Sequence, residues 1–320
     1  MVWQAIDSVI SQQYDGPLEI VVVDDGSTDG TLQELSARYA TRALPSNRRL
    51  VIHSKPHTGI TGTMGKGIEL SSGDYVAICN SDDLWKPRRA AELLAEVEKT
   101  PNTLIHTTCE IRMLDGFQHR LYRETDDPIG LGGYTPVQYP GNVTLRELLM
   151  GQRRPRSYFG GGLSILPRKF MLGEFAMPQG LWHEEIWFLF AAMMQGSIRF
   201  ANLNSYVQRM HGQNESLPET RAGREVEKLR CDLAFLEHAI PILSSRTNRD
   251  SALLRRVETR AHVLKYQLDI NGESSCREAL RDISLSDALT EPRAIFSLTL
   301  AAKMPSLHGF LRGMRRRLTG

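Results

Sequence analysis

Residues 20–31, IVVVDDGSTDGT, decide the fold. Ile20, Val21, Val22 and Val23 are four β-formers in a row, the pattern of a strand covered on both faces inside a parallel sheet. The run stops at Asp24 and Asp25, followed by glycine, small hydroxyl residues and a third acid. Carboxylates beside a buried strand cost several kcal/mol each unless they are paired, hydrogen-bonded or bound to something. In open α/β sheets, ligands collect outside the carboxyl ends of the strands. The stretch therefore predicts a sheet whose edge opens onto a binding site.

Working outward, strand and helix signals alternate. WQAIDSVISQQ has helical spacing, LEIVVVDD is the strand, and GTLQELSARYA is a helix with Asp29 or Ser27 as its cap. RRLVIHS reads as a strand, TGTMGKGIELSSG as a short helix closed by Gly73, and DYVAICNSDD as a second buried strand ending in acids. KPRRAAELLAEVEKT is an amphipathic helix with proline near its first turn, and NTLIHTTCEIRML a further strand. Residues 116–160, rich in Gly, Pro, Tyr and Arg, are expected to form loops over a substrate. GGLSILPRKFMLGEF reads as strand then helix, HEEIWFLFAAMMQG as a helix ending at Gly196, and IRFANLNSYVQRMHG as a strand running into a loop. This rhythm predicts an α/β doubly wound, mostly parallel sheet over residues 1–218. From about Glu219 the pattern turns helical, which predicts a separate region over 219–320.

Composition narrows the function. A formal net charge of +2 on 320 residues gives no global reason to expect a nucleic-acid partner. Cys79, Cys109, Cys231 and Cys276 are scattered without zinc-ligand spacing, as expected of reduced thiols in a cytosolic protein. No apolar run reaches the roughly 18–20 residues of a membrane span, and the start lacks a signal-peptide pattern, so a cytoplasmic location is expected. GITGTMGKG fails the phosphate-loop spacing because Ile60 and Gly67 stand where glycine and a hydroxyl are required.

Two strands end in acids at the same edge: Asp24-Asp25 and Asn80-Ser81-Asp82-Asp83. Such residues commonly make turns and caps, but two clusters of hard oxygen donors in one sheet suit Mg²⁺ or Mn²⁺ carrying a phosphate-bearing substrate. SVISQQYDGPLEIVVVDDGSTDGT, SSGDYVAICNSDDLWKP, LGEFAMPQGLWHEEIWFLF and VQRMHGQNES, in that order, resemble family 2 glycosyltransferases of the GT-A nucleotide-diphospho-sugar transferase fold. The resemblance implies that Asp24 and Asp25 hold base and ribose, and that Asn80 and Asp83 flank Asp82, the expected divalent-metal ligand. It implies Glu185, with Glu184 as fallback, as the base that activates the acceptor. Arg209 and His211 match a basic loop that closes on the diphosphate, with His211 a second metal ligand. The implied reaction is an inverting single displacement from a nucleotide-sugar donor, a UDP-sugar by default, to a glycan or lipid-linked acceptor in cell-surface polysaccharide synthesis.

The chain departs from the family at three places. Asn80 replaces an acid, Met64 and Gly65 stand where an Arg-Asn pair is usual, and the family's first strand and Tyr-Asn turn are missing before Trp3, as in a truncated reading frame. These departures motivate an alternative, a non-catalytic nucleotide-sugar or glycan-binding relative or scaffold. A nucleotidyltransferase of related fold fits the Glu184-Glu185 helix and the Arg209/His211 loop poorly. Trp182, His183 and Trp187 could stack on a sugar ring or simply pack, and Gly160 to Gly162 could admit a ligand or form a turn. Lys303, Arg312, Arg315, Arg316 and Arg317 lie among apolar residues near the C-terminus, a pattern that suits peripheral contact with the inner face of the plasma membrane.

Overall fold

A computed structural model of the chain describes residues 1–114, 144–151, 161–181, 184–211, 225–246 and 252–270. The chain divides into two compact units, residues 1–148 with 153–221, and residues 149–152 with 222–320. In the first unit the elements run α1 (Val2–Ile10), β1 (Leu18–Asp24), α2 (Thr31–Ala40), β2 (Arg48–Ser54), α3 (Gly59–Leu70), β3 (Tyr75–Ala77), β4 (Leu84–Trp85), α4 (Arg89–Lys99) and β5 (Thr103–Met113). They continue with α5 (Leu145–Leu149), whose last residue belongs to the second unit, then β6 (Ser164–Pro167), two 3₁₀ turns over 168–175, α6 (Glu184–Gln195) and β7 (Ser197–Met210).

The strands form two sheets. β1 and β2 pair in parallel, and a five-stranded sheet has the order β3-β6-β5-β7-β4. Only β5 and β7 are parallel in the larger sheet; β3–β6, β5–β6 and β4–β7 are antiparallel. The sheet is therefore mixed where the repeating strand–helix signal predicts mostly parallel pairing, because β6 inserts between β3 and β5 and runs antiparallel to both. Among the described residues β1 pairs only with β2, and β3 only with β6.

Helix α1 buries Ala5, Ile6, Val9 and Ile10 against a core shared with Ile20, Leu35, Leu93, Val97, Ile105 and Ile165. Each fully buried aliphatic side chain contributes roughly 1.5–3 kcal/mol. The opposite face of α1 is tied to α2 through Asp7, which accepts hydrogen bonds from Tyr39 Oη at 2.8 Å and Arg38 at 2.9 Å and pairs with Arg42. Two buried side chains fix the connection from α1 into β1. The Arg48 guanidinium donates to the carbonyls of Ile10, Gln12, Tyr14, Gly16 and Asn47. Gln12 Nε2 donates to Ser8 O and Lys86 O, and its Oε1 accepts from Ala90 N.

Several local readings shift for physical reasons. α3 ends at Leu70, capped at Ser71, whose amide bonds Gly67 O, so Gly73 lies beyond the helix. The apolar run at Tyr75 yields a strand of only three half-buried residues, because the chain must turn through Asn80–Asp83 to form β4 against β7. The residues after β6 form 3₁₀ turns, the second opened by Gly173 at φ 62.

In the second unit, α7 (Glu225–Arg246) packs with α8 (Ala252–Ile270), and Cys231, Phe235, Leu236, Ala239, Leu254 and Val257 of the two helices are buried. Arg260 bonds the Leu149 carbonyl and faces Asp232 at 3.7 Å. Among the described residues no helix is long and apolar enough to cross a membrane. The basic segment from Lys303 to Arg317 lies outside the described residues, as do Trp182, His183, Gly160 and residues 116–143.

Candidate active site

Two polar clusters stand at strand ends. The first closes β1. Asp24, 7 % exposed, accepts from Ser54 Oγ at 2.9 Å and from the Ser27 amide at 3.3 Å. The Ser27 hydrogen bonds hold its carboxyl below the usual range against the effect of burial. Asp25 reaches across to the start of α3. Its Oδ1 accepts from Thr58 N and its Oδ2 from Gly59 N, both at 2.9 Å, while Lys55 Nζ and His57 Nδ1 (2.8 Å) approach from the β2–α3 connection. Burial opposes ionisation here, yet these donors outweigh it and draw the carboxyl down to about 2. Thr58, the residue before α3, supplies no capping side chain, so a carboxylate from another strand satisfies amides that the helix leaves open.

The second cluster gathers the Asn80–Asp83 turn and the end of β7. Asp83 is 2 % exposed and fully engaged. Its Oδ2 accepts from Tyr206 Oη at 2.7 Å and Asn80 Nδ2 at 3.0 Å, and its Oδ1 from Arg209 N at 2.8 Å. Burial and the neighbouring Asp82 charge push its carboxyl up to about 6 despite those bonds. Asp82 is more open, at 29 % of its side chain, and its Oδ2 lies 3.3 Å from His211 Nε2. Arg209, 4 % exposed, donates to the Asp82 carbonyl, Gln4 Oε1 and the Met1 carbonyl, which straps the turn to α1.

The structure thus brings Asn80, Asp82, Asp83, Arg209 and His211 together, whereas Asp24 and Asp25 find their partners in Ser27, in β2 and in its connection to α3. Glu184 and Glu185 open α6, where carboxylates favour the helix N-terminus. Trp187, a stacking candidate in the sequence, is a core residue at 1 % exposure, its Nε1 bonded to Phe175 O at 2.9 Å. Gln4 and Tyr206 escape a reading of the sequence. Tyr206 sits in the alternating pattern of β7, and nothing local reveals that its hydroxyl meets an aspartate 123 positions earlier.

Asp82 and His211 offer a carboxylate oxygen and an imidazole nitrogen side by side, both partly open, a donor set that suits Mn²⁺. Among the described residues no group of three or more His, Cys, Asp or Glu side chains forms a metal cage. Remaining ligands for a cation at this pair would come from substrate phosphates and water.

Residues 1–171, more than half of the chain, match the family model described as Glycosyl transferase family 2. The chain is 34% identical over 96 residues to the glycosyltransferase-named EpsE of Bacillus subtilis (strain 168), covering 30% of this chain and 33% of that protein. It is 29% identical over 96 residues to the glycosyltransferase GlyG of Streptococcus pneumoniae serotype 4, covering 30% of each. The matched region is about a third of the length of these relatives. S. aureus TarS 1–349, solved in complex with UDP-GlcNAc, shares the fold at a TM-score of 0.55 and 15% identity, over 94% of this chain and 77% of that one.

Proposed function

Because the chain belongs to glycosyltransferase family 2, we propose that it transfers a sugar from a nucleoside-diphosphate donor to a hydroxyl of a glycan or lipid-linked acceptor, with inversion. The observation that carries this reading is the Asp82–His211 pair, 3.3 Å apart and open to solvent beside a turn anchored from three directions. A divalent cation held by Asp82 and His211 would neutralise charge on the departing diphosphate. Glu185 accepts the proton of the acceptor hydroxyl. The hydroxyl oxygen forms its bond to the anomeric carbon from the face opposite the diphosphate. The bond from that carbon to the phosphate oxygen breaks, and its electron pair leaves on the nucleoside diphosphate.

Asp24 and Asp25 stand at the nucleotide end of this scheme. TarS, the relative in fold, was solved with UDP-GlcNAc, and UDP-sugars are accordingly the first donors to test. Cell-surface polysaccharide as the product, and action at the inner face of the membrane through the basic C-terminal segment, extend the same proposal.

The test incubates the full chain with Mn²⁺ and a panel of nucleotide sugars and measures release of nucleoside diphosphate. Release that disappears in Asp82→Ala is the expected result. Release at the wild-type rate in that variant removes the assignment. Binding of a nucleotide sugar with no release, over the whole panel and with added acceptors, favours the non-catalytic reading suggested by Asn80 in place of an acid.

A further inference from the structure

Beneath the Asn80–Asp83 turn lies a buried cation that the scheme above does not use. Arg89, the first residue of α4, is 0 % exposed. Its guanidinium carbon sits 4.8 Å from the Tyr206 ring centroid and 5.3 Å from that of Trp85. Its nitrogens donate to Gly162 O at 3.0 Å, Thr107 Oγ1 at 3.2 Å and Ser205 Oγ at 3.3 Å, all uncharged acceptors. Its Nε finds no acceptor among the described residues. Burying a guanidinium on such terms is unfavourable, and aromatic faces offset only part of the cost. What it presses upon is therefore informative.

That target is Tyr206, 1 % exposed, clamped on two sides. Arg89 covers its ring. Gly162, whose carbonyl Arg89 also holds, lies so close to the Tyr206 hydroxyl that a Cβ there would overlap it and come within 2.8 Å of Cζ. Held this way, the hydroxyl donates to Asp83 Oδ2 at 2.7 Å and accepts from Asn80 N at 3.3 Å. It thereby fixes both ends of the turn whose outer residue is Asp82.

We infer that Arg89, Gly162 and Tyr206 form a positioning unit that sets the conformation of the Asn80–Asp83 turn and so the ability of Asp82 to take a divalent cation together with a nucleoside diphosphate. The inference rests on the donor site proposed above. None of the three residues needs to touch the donor. They act through Asp83 and Asn80, and the large size of Tyr206, the absent side chain of Gly162 and the planar fork of Arg89 are each required by the geometry of the stack.

The experiment follows Mn²⁺ by the loss of its aqueous electron paramagnetic resonance signal, with UDP or GDP present, in wild type, Tyr206→Phe and Gly162→Ala. Thermal unfolding is recorded on the same samples, and nucleotide binding is measured separately in EDTA. Tyr206→Phe keeps the ring and removes the hydroxyl. The expected result is a wild-type unfolding temperature within a few degrees, unchanged nucleotide binding in EDTA, and Mn²⁺ affinity roughly tenfold lower with nucleotide present. Gly162→Ala displaces the same hydroxyl from the other side and lowers Mn²⁺ affinity by a similar factor, which decides the matter should the first variant not fold. Wild-type Mn²⁺ affinity in folded Tyr206→Phe, or in Gly162→Ala, overturns the inference while leaving the donor site standing. If the wild type itself takes up no Mn²⁺ with either nucleotide, the donor site and the inference fall together.

Discussion

Replacing Asp25 by asparagine separates two roles that its position combines. The proposed scheme puts this carboxylate at the nucleotide end, yet four donors already converge on it: Thr58 N, Gly59 N, Lys55 Nζ and His57 Nδ1. A carboxyl drawn from 3.8 to about 2 favours the folded state by at most roughly 2.4 kcal/mol at pH 7. Asp25 is partly open, with 23 % of its side chain exposed, and solvent screening reduces that figure to about 1 kcal/mol. The sign follows from the direction of the displacement. Because the folded carboxyl is more acidic than the unfolded one, its contribution is present above about pH 4 and is lost as pH falls towards 2. About half of it remains at pH 3. Asp25→Asn keeps the shape and one acceptor, so it should lower stability by about 1 kcal/mol at pH 7, with the gap to wild type narrowing at pH 3. Urea unfolding of both proteins at the two pH values measures the gap. Amide exchange over residues 55–62 shows whether the Thr58 and Gly59 amides lose protection. Identical urea midpoints at pH 7, with unchanged protection at those two amides, would refute the assignment of Asp25 as the cap of α3.

Three further outcomes follow from the geometry. Arg48→Leu leaves the carbonyls that one guanidinium now serves without their donor, and stability should fall by about 3 kcal/mol in thermal or urea unfolding. Gly196→Ala places a Cβ against the Asn102 carbonyl and 2.6 Å from Phe170 Cζ, an overpacking expected to cost about 1–3 kcal/mol in the same assays. Glu185→Gln should reduce turnover by roughly 10²–10⁴-fold while donor affinity stays near wild type, as read from kcat and KM separately.

Much of the architecture was legible where period and punctuation agreed. The strands at Ile20–Val23 and Arg48–Ser54 and the close of α6 before Gly196 fall where the local pattern predicts, although Val21, Val22 and Val23 are half-buried and not covered on both faces. Position within the sheet was less legible. β6 enters between β3 and β5 through pairing partners that lie 88 to 92 and 58 to 60 residues away, information that no local window holds. The site divides in the same way. Asp82 and His211 could be placed by motif, and they do stand together. The carboxylate of Asp25 serving as a cap 33 residues downstream, and Arg89 lying buried under aromatic rings, could not be read. KPRR opens a segment that reads only as an amphipathic helix with proline near its first turn, and the packed structure reveals that its second arginine turns inward.

The strap from Arg209 to the first turn of α1 has a practical corollary. The Met1 carbonyl and Gln4 lie in the same hydrogen-bonded set as the Asp82 carbonyl, so a substitution at Gln4 is felt by the backbone of Asp82 although 78 positions of sequence separate the two.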